Sequence, residues 1–241
     1  MSAARKTSPI VTITITTMIA VLASVFNWFS SIDTAYYDFL LKKNLLSYPD
    51  DVVVVAIDEA SIERLGAWPW DRRYHAKLLT RLQQADAVVF DLIFAEPQSG
   101  ILDSSGDAAL ADQQLAAALK LSENVILPVY VEALSFRGEL REVMPIPLYS
   151  NAVAGLGHAH VDYGESGIAR GLYLQEGLGR PYWPHLSLAL ANILKETPET
   201  IGGKRSDLIE AASPYDIYRD HYQLLRFAGP PNTIYRISYI D

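Results

Sequence analysis

The sequence predicts an α/β domain with a mixed, largely parallel sheet flanked by helices in three layers and preceded by one N-terminal transmembrane helix. Residues 52–55 are four consecutive valines, and a second apolar segment, residues 87–94, follows a helical pattern. Apolar runs without alternation are typical of strands that are covered on both faces, as in parallel sheets. The membrane prediction rests on residues 7–32, which contain no charged side chain.

This uncharged run predicts a membrane helix over residues 9–30, because a hydrocarbon core roughly 30 Å thick needs about 20 apolar helical residues. Arg5 and Lys6 precede the run, and the positive-inside rule keeps such a basic flank in the cytoplasm. We therefore expect a cytoplasmic N-terminus over residues 1–8, an inner (plasma) membrane location and a periplasmic or extracellular main domain. A cleaved secretory signal is the alternative, because residues 21–23 fit a signal peptidase site. Both outcomes export the domain.

Residues 31–241 are predicted to form this exported domain, incomplete at its C-terminal end because residues 234–241 begin a new element without a cap. The formal net charge of the chain is −8 at pH 7, and cysteine is absent. An acidic surface disfavours a nucleic-acid partner, so contact with the lipid bilayer is expected only through the N-terminal helix. The lack of cysteine excludes a disulfide scaffold and a thiolate zinc site.

Helices and strands alternate along the rest of the chain. The predicted helices cover residues 32–46, 59–65, 73–84, 104–121 and 186–195, and the predicted strands cover residues 51–58, 87–94, 124–131 and 222–227, with a hairpin formed by 157–163 and 168–174. The strand, helix, strand order of the first part predicts a right-handed crossover unit. Pro128 indicates an edge position or a bulge in its strand.

Acidic side chains stand at the ends of the first two predicted strands. Asp58 and Glu59 lie at the C-terminal end of the first strand, and Asp91 and Glu96 lie at that of the second. Open α/β sheets place their ligand crevice at the carboxyl ends of strands, where paired carboxylates act as acid and base or bind a divalent cation. For Asp58 we favour an N-cap of the following helix, whereas Asp91 stays a candidate for the crevice.

Trp68, Pro69 and Trp70 form a stiff aromatic loop, with Arg72 close behind it. Two indoles on a proline hinge offer a flat surface for a ligand ring or cation, and a guanidinium beside them binds an anion. The alternative is structural. The tryptophans then pack at the sheet edge, and Arg72 pairs with an acid such as Asp91.

His158, His160 and Asp162 alternate along the chain. On a strand they share one face, and the HxHxD pattern opens the metallo-β-lactamase metal motif. That motif continues with a histidine where this chain has Tyr163, so a metal site is kept as the alternative and no metal or other cofactor is expected. The GxSxG, Walker A, HExxH and GxGxxG motifs are absent from the sequence, which leaves hydrolase and nucleotide-binding predictions without their usual support.

Residues 52–97 resemble the opening of the type-2 CHASE domain, an extracellular sensory module of cyclases and histidine kinases. The shared features are the strand ending in Asp58 and Glu59, the block of Gly66, Trp68, Pro69, Trp70 and Arg72, the helix carrying Leu78, Leu79 and Leu82, and the segment from Asp91 to Pro97. Residues 157–161 and 167–170 are similar to later stretches of the family, with Ser166 where the family has aspartate.

The resemblance implies a membrane-anchored, extracytoplasmic and non-catalytic sensory domain of a bacterial signal transduction protein, coupled to an output module outside this chain. We expect ligand contacts at the following residues: Trp68, Trp70, Arg72, Asp91 and Arg170. The signal is an unspecified small molecule or protein, and a homodimer is compatible with this role. The alternatives are an anchored metal-dependent hydrolase that uses His158, His160 and Asp162, and an acidic scaffolding module.

Overall fold

The computed structural model describes residues 8–25, 30–43, 51–98, 106–133, 139–163, 167–196, 201–205, 213, 216–230 and 232–241. Its helices are α1 (Pro9–Val25), α2 (Ser30–Lys43), α3 (Glu59–Leu65), α4 (Arg72–Arg81), α5 (Asp107–Ser122), α6 (Pro147–Ser150) and α7 (Leu186–Ile193). Its strands are β1 (Val53–Ala56), β2 (Val88–Val89), β3 (Val125–Ala133), β4 (Leu140–Val143), β5 (Gly155–His158), β6 (Gly171–Leu178), β7 (Trp183–Pro184), β8 (Ile217–Leu224) and β9 (Tyr235–Ser238).

The chain divides into two compact units. The first contains the residues up to Ala56 together with Arg226–Tyr239 and Asp241, and the second contains Ile57–Leu225 and Ile240. In the first unit β1 and β9 form a parallel pair. The first strand of the chain thus pairs with its last, so the predicted crossover unit between the first two strands is wrong for the described residues.

Helix α1 replaces the predicted transmembrane helix over residues 9–30. Its 17 residues rise about 26 Å at 1.5 Å per residue, short of the roughly 30 Å hydrocarbon core. Within the described ranges no helix is both long and apolar enough to cross a membrane. The predicted transmembrane helix is therefore wrong for the part of the chain that the structure describes. Residues 26–29 lie outside that part.

The strands of the second unit belong to two sheets. In the first sheet β3 is central, with parallel partners β2 and β5 and the antiparallel partner β4. In the second sheet β6 lies between β7 and β8, and both pairings are antiparallel. The predicted single, largely parallel three-layer sheet is wrong, because the described strands form three sheets and the glycine-rich second half builds an antiparallel sheet of its own.

The predicted hairpin of residues 157–163 and 168–174 is also wrong. β5 pairs with β3, whereas β6 pairs with β7 and β8, and one isolated bridge from Asp162 to Gly171 joins the two segments. Residues 164–166 lie outside the described residues. Gly157 is required for another contact, since a Cβ there would come within 2.9 Å of the carbonyl oxygen of Pro184.

The predictions for the helix at residues 59–65, its N-cap and its terminal glycine are confirmed. Helix α3 has the predicted bounds, and its N-cap is Asp58, whose Oδ1 accepts hydrogen bonds from Ser61 N at 2.9 Å and Ser61 Oγ at 2.6 Å. Gly66 ends this helix with φ +91°, a conformation that glycine adopts without steric cost. Helix α4 begins after Asp71, which accepts from Arg73 N at 2.8 Å.

The core of the second unit lies between helices α4 and α5 and the sheet around β3. Its buried members come from α4, the segment after β2, α5, β3 and α6: Leu79, Phe90, Phe94, Leu115, Ala116, Leu119, Val125, Leu127 and Tyr149. β2 is shorter than predicted, and after it the chain turns Phe90 and Phe94 into the core instead of continuing the strand. Their rings meet edge to face at a centroid distance of 5.9 Å.

We expect Leu115→Ala to destabilise the protein by about 2 to 5 kcal/mol, because it leaves a cavity in this core. Leu121→Ala on the same helix is the matched control, since Leu121 is 74% exposed and its truncation should change the unfolding free energy by less than about 0.5 kcal/mol. Urea unfolding of both variants measures the difference. Equal losses would contradict the packing of α5.

Candidate functional site

The aromatic loop before α4 is mostly an internal packing element. Trp70 is 4% exposed and donates its indole N–H to Gly66 O at 2.7 Å. Trp68 is 42% exposed and meets the rings of Trp70 and His75 edge to face at centroid distances of 5.4 and 5.8 Å. The structure therefore brings the two predicted indoles together, with only Trp68 well exposed.

Arg72 lies beside this loop and points into the core. It is buried, and its guanidinium lies 4.6 Å from the ring centroid of Phe94. Its Nε is 3.9 Å from Oδ1 of Asp112, and its Nη2 donates to Glu96 O at 3.4 Å. The acid paired with Arg72 is thus Asp112, whereas the structural alternative had suggested Asp91.

Asp91 and Arg170 lie in other environments. Asp91 accepts a hydrogen bond from the Tyr130 hydroxyl at 2.8 Å, and burial together with this bond raises the pKa of Tyr130. Arg170 precedes β6, and its backbone bonds to Asp162 O and Leu225 N at 3.3 and 2.9 Å. Of the five predicted residues, Trp68 and Trp70 therefore contact each other, whereas Arg72, Asp91 and Arg170 each have other partners. Ligand binding by the five residues stays a prediction.

The structure does not place His158, His160 and Asp162 together on one strand. β5 ends at His158, which is 2% exposed and packs edge to face on His185 at 5.1 Å. Within the described ranges, neither ring nitrogen of His158 has a hydrogen-bond partner. His160 lies beyond the strand and contacts Glu176, and the backbone N–H of Asp162 donates to Gly171 O at 2.9 Å.

A shared metal is not supported by this arrangement. Among the residues that the structure describes, no group of three or more His, Cys, Asp or Glu side chains is placed to hold a metal ion. The strand that would have aligned His158, His160 and Asp162 on one face ends at the first of them. The alternative of a metal-dependent hydrolase therefore lacks a ligand set in the described ranges.

A cavity of about 250 Å³ lies between the two sheets of the second unit. It is lined by residues 129–131 of β3, residues 159–161, Tyr163, Glu176 of β6, and Ile217 and Arg219 of β8. Its lining combines aliphatic side chains and two tyrosines, Tyr130 and Tyr163, with a cluster of three further ionisable side chains that contact one another, the Glu176 cluster: His160, Glu176 and Arg219. This combination of apolar and polar side chains is typical of a small-molecule site. We call this space the β3/β6/β8 cavity.

The three ionisable side chains centre on Glu176, whose side chain is only 3% exposed. Its Oε2 lies 2.7 Å from Arg219 Nε and 2.8 Å from His160 Nδ1. Burial by itself raises the pKa of this carboxyl, but the hydrogen bonds from His160 and Arg219 outweigh burial and lower the pKa. Glu176 is therefore an ionised, partnered carboxylate at the base of the cavity.

His160 has two competing partners. Its Nδ1 lies 2.8 Å from Glu176 Oε2 and 2.8 Å from Nη2 of the Arg219 guanidinium. A protonated Nδ1 donates to the carboxylate, whereas a bare Nδ1 accepts from the guanidinium. The position of one proton thus decides which neighbour His160 binds.

The prediction from sequence missed Glu176, Arg219 and Tyr130. A local signal did exist for Glu176, because Leu172, Leu174, Glu176 and Leu178 alternate along β6 and place a charge where an apolar residue is expected. Arg219 had no such signal. It lies directly opposite Glu176 in the antiparallel ladder, at a separation of 43 residues in the chain.

We expect the unfolding free energy to decrease as the pH falls from about 6.5 towards 4. Burial lowers the pKa of His158 and of His75 from 6.5 to about 4, so between these values the unfolded chain takes up protons that the folded protein excludes. Each histidine contributes a slope of up to about 1.4 kcal/mol per pH unit. Urea unfolding between pH 7.5 and 5 measures this slope.

His158→Phe keeps a ring of similar size and should remove the contribution of one proton from the slope. His75→Phe tests the second histidine independently. A slope that is the same in both variants as in the unchanged protein would contradict buried, neutral histidines at these positions.

Comparison with known proteins identifies one family. Residues 13–241 match the family model of the CHASE2 domain. No curated protein and no solved structure matches the chain. The family match covers nearly the whole sequence and confirms the resemblance that the segment around Trp68 and Trp70 had indicated. The chain therefore belongs to the CHASE2 family, whose members are extracellular sensory domains of signalling proteins.

Proposed function

We propose that this chain is the non-catalytic, extracytoplasmic input domain of a signal transduction protein, and that a small ligand binds in the β3/β6/β8 cavity. The observation that carries the proposal is the cavity itself, where a buried carboxylate and its two partners line a space of about 250 Å³. Typical ligand pockets measure roughly 300 to 1,000 Å³. The ligand is accordingly small.

Binding without turnover suits the chemistry of Glu176. A general base works best when its pKa lies near the working pH. The hydrogen bonds from His160 and Arg219 lower the pKa of Glu176 instead, so its carboxylate is a weak proton acceptor. Such a fixed ion pair supports recognition better than proton transfer.

The position of the cavity suits a signal input. Its walls come from both sheets of the second unit, so one ligand contacts β3 and the β6 and β8 pair together. β8 ends at Leu224, and the chain then continues into Arg226–Tyr239 of the first unit. A ligand that contacts Arg219 therefore acts on the strand that leads out of the second unit.

We expect a ligand from a mixed panel of small acids, amines, alcohols and amides to raise the melting temperature of the protein, because binding to the folded state stabilises it. Ile217→Trp should abolish the increase by filling the cavity. Leu121→Trp, on the exposed face of α5, should leave it unchanged. Thermal unfolding measures the shift, and circular dichroism verifies that each variant is folded.

Val161→Leu is a second, milder cavity variant in case the tryptophan disturbs folding. NMR of the bound ligand over many hours tests for turnover. Conversion of the ligand to a product would contradict a non-catalytic role, and stabilisation that persists in both cavity variants would contradict this location of the site.

A further inference from the structure

We propose that the ligand of the β3/β6/β8 cavity is a small carboxylate with an apolar body, bound through the guanidinium of Arg219. This inference rests on the proposed function, because it names the chemistry of the ligand that the cavity binds. It is argued from the order in which the charged groups are exposed and from the aliphatic remainder of the lining.

The three side chains of the Glu176 cluster differ in exposure. The side chain of Glu176 is 3% exposed, whereas the side chains of Arg219 and His160 are 33% and 41% exposed. The guanidinium and the imidazole are therefore more accessible to a ligand than the carboxylate. Guanidinium groups are the preferred partners of carboxylates in proteins, since their planar donors match the two oxygens.

An amine is the poorer match. The carboxylate of Glu176 is the less exposed partner and already accepts hydrogen bonds from Arg219 and His160 through Oε2, at 2.7 and 2.8 Å. An ammonium group bound to the same carboxylate stands as a second cation beside the guanidinium, at a cost in repulsion. A carboxylate can bind the outer side of the same cluster and leave Glu176 in its ion pair.

The remainder of the lining selects an apolar body. Outside the Glu176 cluster, five lining residues are aliphatic and two are tyrosines: Val129, Val131, Ala159, Val161 and Ile217, with Tyr130 and Tyr163. Aliphatic surface favours hydrocarbon over polar groups by roughly 25 cal/mol for each Å² that is buried. The ligand therefore combines one carboxylate with a short aliphatic or aromatic group.

Isothermal titration with matched probes tests the proposal on the full chain. Benzoate and 3-methylbutanoate are compared with benzylamine and 3-methylbutylamine and with the corresponding alcohols, at millimolar concentrations and constant ionic strength. We expect the acids to bind and the amines and alcohols to bind at least about tenfold more weakly, because a charge-assisted hydrogen bond is lost. A preference for amines or alcohols, or no binding of either acid, would overturn the proposal.

Substitutions in the cavity test which residue binds the carboxylate of the ligand. Arg219→Gln should weaken benzoate binding at least about tenfold, whereas Arg219→Lys should retain part of the affinity and Arg64→Gln, on exposed α3, should retain all of it. Glu176→Gln removes the competing negative charge and should leave benzoate binding equal or tighter. Loss of benzoate binding in Glu176→Gln with unchanged binding in Arg219→Gln would refute the assignment.

Failure of this inference is distinguishable from failure of the proposed function. Suppose that amines or alcohols bind at the cavity and that Ile217→Trp abolishes this binding. That result would refute a carboxylate ligand and would still support the cavity as the sensory site. If no member of the wider panel stabilises the protein, the proposed function fails together with the inference. The melting temperature of each variant shows whether it is folded, and the probe series on the unchanged protein decides the question when a variant is not.

Discussion

The fold of the second unit depends on the burial of one carboxylate, Asp112. Its Oδ1 accepts the Tyr149 hydroxyl at 2.5 Å and lies 3.9 Å from Arg72 Nε, and its Oδ2 accepts the backbone N–H of Gln98 at 3.0 Å. A charge buried without partners costs several kcal/mol. Because the partners come from α4, α6 and the segment after β2, this cost is avoided only when those segments are positioned together around α5.

Glu176 satisfies the same requirement in a different way. The two side-chain partners of Asp112, Tyr149 and Arg72, are themselves buried, so these contacts stabilise the core. The partners of Glu176 are Arg219 and His160, which remain partly exposed at the cavity. The first cluster is therefore structural, and only the second has donors that an incoming molecule can contact. This contrast, more than the presence of charge, supports recognition at Glu176.

The features that the sequence predicted correctly are those decided within a few residues. Asp58 caps α3 because its side chain reaches the backbone of Ser61, three residues away. The resemblance to the CHASE2 family was likewise indicated mainly by one continuous block around Trp68, and the family model then matched residues 13–241. Strand pairing is different, because the partner of β1 is at the far end of the chain and Arg219 lies opposite Glu176 across 43 residues. No local pattern encodes such a register, so the sheets and the cavity could not be predicted.

The register of β6 and β8 limits how a bound carboxylate can act under the proposed function. Pairing continues on both sides of Glu176 and Arg219, with Gln175 opposite Asp220 and Gly177 opposite Tyr218. If β8 shifted by one residue along β6, every side chain of β8 would turn to the opposite face. The pairing of the two strands therefore opposes such a shift when a ligand binds. The adaptable group is His160, which lies outside the strands and is 2.8 Å from both neighbours. A ligand that accepts a hydrogen bond from Arg219 competes with His160 for the guanidinium and leaves His160 to donate to Glu176. The segment of residues 159–161, between the two sheets, is then the part of the cavity whose position depends on the ligand.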